Sequence, residues 1–414
     1  MSFSPHLMAA PLDILGHGHQ EYRGACTGRN LARWTYYELE PRVLPVGTAA
    51  EVVEQMGRIA LAVARGADAG SNRMRDPDGV HAPRYHLFDD AFDPVWDESI
   101  LSAEARTGRV PAWWHLARQV LLRKSDCDAV ITWGEKLTLA LLIQQMLGDA
   151  GKPHVAMMYT FEKLNVRVPL QLLKRNLRAV ITWSSVQRDA LVGKIGFPRD
   201  RVYLIRHYVD QVFYSPRTAQ EDMICAVGAE MRDYTTLVQA VRGTGIRCHI
   251  ATDHVRIPGP IRLVNDRRVP ITQIVQQTDT DVTQGRLTLP QLRDLYAKSR
   301  VVIVPLLHSE TDNGVTCILE AMAMGKPVIC SRTRGQVDVI QEGVTGLYVP
   351  VGDAAAMRAA IQSLWHDPAR ASEMGRNARA YVEKYHTLEM FTSTTRSAAE
   401  AALKGQPAPD AFWE

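Results

Sequence analysis

The sequence contains no apolar run that approaches the roughly 20 residues that a membrane-spanning helix needs. Its first residues, Met1 to Leu15, show no basic start followed by an apolar core, so we expect no signal peptide. The six cysteines lack Cys-x-x-Cys spacing, and several lie within apolar runs, which favours reduced thiols in a protein core. These absences predict a cytoplasmic protein.

An excess of charge of one sign is also absent. The formal net charge is +3 over 414 residues, which is too small to indicate a nucleic-acid-binding protein. The hydrophobic fraction of 46% and the charged fraction of 22% are those of an ordinary globular protein, and the length is sufficient for two domains.

One segment is locally basic. Between residues 104 and 180, twelve Lys or Arg stand against six Asp or Glu, and Trp113 and Trp114 lie among them. A basic amphipathic surface of this kind can contact an anionic bilayer, here at the inner face of a membrane. An ordinary helix with its apolar side in the core has the same pattern. The sequence leaves both interpretations open.

From residue 127 to residue 205, short apolar runs alternate with stretches of helical periodicity. Strands are predicted over Ala129–Trp133, His154–Tyr159, Ala179–Trp183 and Val202–Ile205, and helices over Lys136–Leu147, Pro169–Leu177 and Val186–Ile195. Such alternation predicts a parallel, doubly wound sheet, and it resumes at Ile224. We therefore expect an α/β protein in which two Rossmann-like domains face a central cleft.

The first hundred residues carry weaker signals. Helical periodicity predicts a helix over Glu51–Arg65, and the polar, proline-rich segment Ser71–Asp97 is interpreted as loop. Ile14 and Leu15 are interpreted as the end of a strand. The loop after them contains His17 and His19, which would face either the cleft or solvent.

The most informative stretch runs from Val301 to Cys330. An apolar run is followed by a polar loop, by helix formers from Gly314 to Met324, by Gly325 as a stop signal and by a second apolar run. This order predicts a strand, a loop, a helix and a strand. Ligands of parallel sheets bind where loops leave the carboxyl ends of strands. The first amides of the helix, those of Gly314, Val315 and Thr316, suit a diphosphate.

Two carboxylates accompany this helix. Asp312 lies in the loop, where it can accept hydrogen bonds from sugar hydroxyls, and Glu320 lies about two turns into the helix. A helix-capping aspartate and a solvated glutamate are the plain alternative. A second strand, glycine loop and helix surround Gly228, where Arg232 is either a phosphate ligand or an exposed arginine at a helix start.

The spacing of Asp312 and Glu320, with Ala-Met-Ala-Met-Gly-Lys-Pro-Val after them, resembles the donor-site signature of the retaining glycosyltransferases of family 4. The resemblance extends over residues ~127 to ~400 and includes Ser185-x-Gln187-Arg188, the junction at Tyr208-Val209-Asp210 and the turn Gly343-Val344-Thr345-Gly346. The sequence departs from the family's pattern at three places. Asp312 stands where the family usually has Glu, Ala229 stands where Arg is common, and the His or Asp that many members carry after this strand is missing after Tyr159-Thr160. Glu310 is an alternative first acid, although its spacing to Glu320 differs by two.

The resemblance implies a GT-B fold and a hexosyltransferase that moves a sugar from a nucleotide-diphosphate sugar to an acceptor hydroxyl with retention of configuration. Asp312 and Glu320 are then the catalytic-site acids, Asp312 holding the donor sugar and Glu320 the ribose. The implied donor-binding residues are Gly228, Arg232, Asn313, Gly314, Val315 and Thr316. The acceptor, a glycan, a lipid or a small molecule, would meet His17, His19 and Tyr159.

The same resemblance implies an acceptor-binding domain over residues 1–210 and a donor-binding domain over 211–386, with 387–414 packing back onto the first. It implies no metal and no other cofactor, because the nucleotide-sugar is a co-substrate; Asp279-Thr280-Asp281 lacks the context of a metal motif. Three alternatives remain: a catalytically impaired GT-B protein that binds a sugar nucleotide or a partner, a nucleotide-sugar epimerase or phosphorylase, and a membrane-surface scaffold.

Overall fold

The structure is a computed structural model that describes residues 57–64, 76, 78–148, 151–161, 163–218, 222–258, 266–276 and 281–410. The predictions for His17, His19 and the start of the helix over Glu51–Arg65 lie outside the described residues. Short apolar runs, buried on both faces, form the strands of two six-stranded sheets. Both sheets are parallel throughout, which gives two α/β domains.

The first sheet has the strand order β2-β1-β3-β4-β5-β6. Its strands are β1 Ile59–Val63, β2 Val95–Trp96, β3 Ala129–Trp133, β4 His154–Met157, β5 Ala179–Thr182 and β6 Val202–Leu204. Its helices are α1 His86–Asp89, α2 Ala103–Thr107, α3 Ala112–Leu122, α4 Glu135–Leu147, α5 Leu164–Leu173 and α6 Ser185–Ala190, the last continued by a wider turn over Leu191–Ile195.

The second sheet has the order β11-β8-β7-β12-β13-β14, and an antiparallel hairpin of β9 and β10 stands beside it. The strands are β7 Met223–Val227, β8 Arg247–Ala251, β9 His254–Pro258, β10 Asp266–Pro270, β11 Val282–Gln284, β12 Val301–Val304, β13 Val328–Ser331 and β14 Gly346–Val349. The helices are α7 Tyr234–Val241, α8 Leu289–Lys298, α9 Val315–Ala323, α10 Ala354–Trp365, α11 Pro368–Tyr385 and α12 Leu388–Leu403.

The last helix, α12, packs on the first sheet. The ring of Phe391 lies 5.4 Å from that of Phe88 and 6.0 Å from that of Trp133, measured between centroids. The chain passes from β6 to β7 through a segment that includes Asp210, whose carboxylate is buried and bound by Arg84 at 2.7 Å. The domain boundaries proposed from the sequence stay a prediction.

Three predictions about secondary structure are wrong. The segment Ser71–Asp97 is not all loop: it contains α1 and β2, because Phe88 and Trp96 pack into the core of the first domain. Ile59–Val63 is a strand between two other strands, not the end of a helix over Glu51–Arg65, because burial on both faces overrides the helix propensity of its Ala and Leu residues. The helix predicted over Pro169–Leu177 runs over Leu164–Leu173 instead. Pro169 lies inside the helix and does not start it, and its ring does not interrupt the apolar face formed by Val166 and Leu170.

The described residues bear on the expectations about membrane-spanning helices, metal sites and the segment around Trp113 and Trp114. Within them, no helix is long and apolar enough to cross a membrane. In the same part of the chain, no cluster of His, Cys, Asp and Glu has the arrangement of a metal site. Trp113 and Trp114 are half-buried and pack, with Leu116 and Val120, on the core beside the first sheet.

Candidate functional site

A buried guanidinium lies at the carboxyl ends of two neighbouring strands of the second sheet, β7 and β12. Arg232 is only 3% exposed. Its Nε donates to the carbonyl of Val227 at 2.9 Å, its Nη1 to the carbonyl of Glu230 at 2.6 Å, and its Nη2 to Cys317 Sγ at 3.4 Å. No carboxylate among the described residues forms an ion pair with it. Within the described part of the chain, its positive charge is therefore balanced by dipoles alone.

Two glycines make room for this side chain. A Cβ on Gly228, which has φ +97°, would lie 2.5 Å from Arg232 Nη2. A Cβ on Gly314, which has φ +89°, would lie 2.8 Å from a methyl of Val304 and 3.6 Å from the same Nη2. Met231 also has a left-handed φ of +54°, a conformation that costs a non-glycine residue about 1–3 kcal/mol. The loop is thus shaped around the guanidinium at some cost in backbone energy.

Helix α9 starts beside Arg232. Gly314 is its N-cap residue, and no side chain caps the helix. The first amides of a helix need partners from outside it, and the helix dipole makes them a favourable place for an anion. Thr316 is exposed at this end, whereas the side-chain amide of Asn313 turns into its own loop and donates to Ser309 Oγ and Thr311 Oγ1.

Glu320 lies further along α9 and is 6% exposed. The hydroxyl of Tyr296 donates to its Oε2 at 2.8 Å. Burial raises the pKa of this carboxyl to about 7, and the hydrogen bond from Tyr296 offsets only part of that rise. Near neutral pH the carboxyl is therefore divided between its charged and neutral forms.

Asp312 lies on the loop before α9 and faces the first domain. Gln187 Nε2 donates to Asp312 Oδ1 at 2.7 Å. Burial raises the pKa of the Asp312 carboxyl to about 6, and the nearby carboxylate of Asp338 also raises it, whereas the Trp183 indole and Gln187 lower it. Asp312 Oδ2 is buried and makes no hydrogen bond of ordinary geometry with the described residues. One acceptor oxygen thus lacks a regular hydrogen-bond donor among the described residues.

The carboxyl ends of the first-sheet strands carry aromatic and acidic side chains. Tyr159 follows β4, is 40% exposed and stacks on Trp183 at 5.4 Å between centroids. Glu135, the first residue of α4, accepts from the amides of Tyr159 at 3.0 Å and Thr160 at 2.5 Å, which holds this loop. Burial, followed by the charges of Glu135, Glu230 and Asp312, raises the pKa of Tyr159 to about 12. Two of these carboxylates belong to the second domain, so Tyr159 borders the cleft.

Of the residues singled out from the sequence, Gly228, Arg232 and Gly314 lie together, with Val315 and Thr316 beside them. Asp312 lies on the adjoining loop, while Glu320 is buried one turn or more inside α9. Glu310 points elsewhere and pairs with the exposed Arg334 at 3.1 Å.

Sequence reasoning assigned no role to two residues of the cleft, Glu135 and Gln187. Glu135 follows Gly134 directly at the end of a predicted strand, and such a glycine and polar residue at a strand end is a usable signal. Gln187 was part of the resemblance, but its contact with Asp312 spans 125 positions and leaves no local pattern.

Comparison with known proteins shows which proteins this chain is similar to. Residues 236–367 match the family model described as glycosyl transferases group 1. A sulfoquinovosyl transferase of Arabidopsis thaliana is 32% identical over 125 residues, which are 30% of this chain and 24% of the relative. The chain thus spans about a quarter of the length of the curated relatives that it matches first.

Solved structures match over much more of the chain. Sucrose-phosphate synthase from Thermosynechococcus elongatus has a TM-score of 0.64 at 15% identity, covering 84% of this chain and all of that one. HepE of Anabaena in complex with UDP-glucose has a TM-score of 0.61 at 15% identity, with the same coverage. Residues 236–367 therefore resemble a glycosyl transferases group 1 domain, and the chain has the GT-B architecture of two parallel-sheet domains.

Proposed function

We propose that this protein is a glycosyltransferase whose donor is a nucleotide-diphosphate sugar. The observation that carries the proposal is the buried guanidinium of Arg232, which has no acidic partner in the part of the chain that the structure describes and lies beside a helix start without a side-chain cap. A buried charge without a counter-charge is costly, so an anionic ligand would complete this site. Because HepE is a structural neighbour described with UDP-glucose, that compound is the first donor to test.

The reaction would place its developing charge against these groups. As the acceptor oxygen bonds to the sugar, the bond from the sugar to the diphosphate breaks, and its electron pair leaves with the diphosphate. Arg232 and the first amides of α9 would stabilise that charge. Asp312 Oδ2 would accept from a sugar hydroxyl, and Glu320 would bind the ribose. No metal is needed for this scheme, because the cation is supplied by the protein.

Retention of configuration is part of the proposal. The departing phosphate oxygen would take the proton of the acceptor hydroxyl on the same face of the sugar, so that no separate protein base is required. Proton NMR of the first-formed product measures the anomeric coupling directly. A product of inverted configuration would contradict this part while leaving the transferase proposal intact.

The acceptor would bind along the first-domain edge of the cleft, against Tyr159, with His17 and His19 as further candidate contacts. The exposed face of Tyr159 offers an aromatic surface backed by Trp183. Replacement Tyr159→Phe keeps the ring and Tyr159→Ala removes it. We expect only the alanine variant to raise the KM of the acceptor, with the KM of the donor unchanged in both.

The first experiment is thermal stabilisation of the protein by UDP-, GDP-, ADP- and TDP-sugars, with and without a chelator. A ligand at 100 times its dissociation constant adds about 2.7 kcal/mol of stability. We expect a shift that one nucleotide produces and that the chelator leaves unchanged. Absence of any shift would favour a non-catalytic protein, and product formed without an acceptor would indicate an epimerase.

Peripheral membrane contact is a second proposal, on a different surface. Leu164, Val168 and Leu172 follow one face of α5 at intervals of four residues, and Leu172 is 76% exposed. Lys163 and Arg167 lie in the same segment, and this combination suits an anionic bilayer. The test is sedimentation with phosphatidylglycerol vesicles, comparing the wild type with Leu172→Glu. Equal sedimentation of the two proteins would contradict the proposal.

A further inference from the structure

One buried side chain of the first domain reaches the loop of the second domain that carries Asp312. Gln187, in the first turn of α6, is 2% exposed. Its Oε1 accepts from the hydroxyl of Thr182 at 2.5 Å, and its Nε2 donates to Asp312 Oδ1 at 2.7 Å. An ionised carboxylate only accepts hydrogen bonds, so the amide nitrogen has to face Asp312. Thr182 then holds the amide in that orientation from the other end.

A second contact joins the same helix turn to the same domain. Asp338 Oδ2 accepts from the Ser185 amide at 2.8 Å, and its Oδ1 accepts from Ser185 Oγ at 2.7 Å. This contact is exposed, whereas that of Gln187 is buried. Solvent competes for the exposed contact and not for the buried one, so the two differ in how strictly they set geometry.

We propose that Gln187 is a positioning residue, which orients the carboxylate of Asp312 toward the donor sugar when the two domains close. This inference rests on the proposed function, because it assigns Asp312 Oδ2, which lacks a regular donor among the described residues, to a sugar hydroxyl. The diphosphate is bound by Arg232 and α9, which belong to the second domain. Nucleotide binding alone therefore does not need Gln187, whereas the transfer step does.

The contact also affects the protonation of Asp312. Hydrogen bonding from Gln187 favours the charged carboxylate, against burial and the charge of Asp338. On this side of the cleft the phenol of Tyr159 is neutral below about pH 12, and burial also raises the pKa of the Glu135 carboxyl, which accepts from the Tyr159 and Thr160 amides. Loss of the amide would therefore raise the pKa of Asp312 further, and the acid side of the pH profile of kcat would move to higher pH.

The test compares Gln187→Leu and Gln187→Glu with Ser185→Ala. The leucine variant removes the bond to Asp312. The glutamate variant keeps an acceptor for Thr182, so it controls for loss of folding. At high pH it places its own carboxylate against that of Asp312. The serine variant weakens only the exposed contact. Kinetic constants with UDP-glucose, the pH profile of kcat and the thermal shift with UDP alone are measured for each.

We expect Gln187→Leu to lower kcat by about 10- to 100-fold, as small misplacements of catalytic groups do. Its UDP shift and its KM for UDP-glucose should match those of the wild type. Gln187→Glu should lose activity at pH 8 and recover part of it at pH 6, where a shared proton restores the bond. Ser185→Ala should retain wild-type kcat within about twofold, as an exposed contact allows. A wild-type kcat and pH profile for Gln187→Leu would overturn the inference.

A measurement without a substrate separates this inference from the proposed function. If no sugar nucleotide binds the wild type, the proposed function fails, but the contact is still testable. Thermal unfolding of Gln187→Leu and wild type is then compared at pH 5 and pH 8. If Gln187 supports the charged carboxylate, the variant should lose more stability relative to the wild type at pH 8, where Asp312 is ionised, than at pH 5. An equal deficit at both pH values would show that Gln187 does not support the charged carboxylate.

Discussion

The two domains contribute different kinds of groups to the cleft. The second contributes mainly backbone: the left-handed turns at Gly228 and Gly314, the start of α9, and one guanidinium packed between them. The first contributes side chains at the ends of strands, among them Tyr159 and Gln187. Backbone amides at a helix start would bind the diphosphate that all nucleotide-sugar donors share. Side chains at strand ends can differ between proteins and so fit different ligands.

The difference suggests a division of labour. The second domain would hold the donor by its charge, and the first would select the acceptor and complete the geometry of the reaction. Variants of the second domain should therefore abolish binding, and variants of the first should change rate or acceptor preference. The following predictions test that contrast, from the largest expected effect to the smallest.

Arg232→Met tests the second domain most directly. It removes the buried cation with little loss of volume, so the diphosphate would lose its strongest partner. We expect kcat/KM to fall by about 100- to 1000-fold and the thermal shift with UDP to disappear. The control is Arg300→Met, just before the amino end of β12, where the guanidinium lies over Trp365 at 4.7 Å. A wild-type UDP shift for Arg232→Met would mean that the guanidinium is structural.

The pH dependence of stability should have opposite signs in the two domains. Burial raises the pKa of Glu320 from 4.5 to about 7, so the folded state keeps a proton that the unfolded chain has released between these values. Its contribution to stability is therefore complete below pH 4.5 and is lost as pH rises through 7, by about 3 kcal/mol. Burial lowers the pKa of His154 to about 3, so the unfolded chain binds a proton there at a higher pH than the folded protein does. The contribution of neutral His154 to the free energy of unfolding is therefore complete above pH 6.5 and is lost as pH falls.

Urea unfolding at intervals from pH 4.5 to 7.5 measures both effects. We expect Glu320→Gln to gain stability relative to the wild type as pH rises across this window. His154→Gln should gain relative to the wild type as pH falls toward 4.5. Parallel curves for the wild type and Glu320→Gln would mean that the carboxyl of Glu320 is hydrated in solution.

The central strands of the second sheet, β7, β12 and β13, and the candidate site at their ends were predictable from the sequence because their signals are local. Val301–Val304 is apolar at every position, and Gly325 ends α9 with φ +70°, so the strand and the helix stop were both predicted. Gly228, Arg232 and Gly314 were singled out for the same reason. A tight turn or a helix start requires a particular residue type at a particular spacing, and that requirement is visible without the fold.

The first domain shows why the rest could not be predicted. Ile59–Val63 contains good helix formers, and only its place between two strands makes it β1. The start of α5 at Leu164 was missed because Pro169 resembles a first helical residue. Gln187 and Asp312 meet only once both domains are folded. These features depend on contacts between distant residues, which a single sequence does not encode locally.

Gly314→Ala separates crowding from backbone strain in the second domain. A left-handed conformation costs a non-glycine residue about 1–2 kcal/mol, and here the new methyl would also press on Val304. The matched control is Gly343→Ala, which has φ +76° but no atom within 4 Å of the added Cβ. We expect the free energy of unfolding in urea to fall by about 1 kcal/mol in the control and by about 2–3 kcal/mol in Gly314→Ala. Equal losses would mean that Val304 moves aside freely.

The smallest effect is expected from Glu310→Gln, which decides between the two candidate first acids. Glu310 pairs with Arg334, whose side chain is 82% exposed, and exposed ion pairs contribute about 0–1 kcal/mol. Asp312 lies instead in the buried contact with Gln187. We expect kcat to change by less than about threefold in Glu310→Gln and by about 100-fold in Asp312→Asn, a matched change from acid to amide. If Glu310→Gln proved the more damaging, the working carboxylate would be on the exposed part of the loop, and the buried contact across the cleft would serve stability alone.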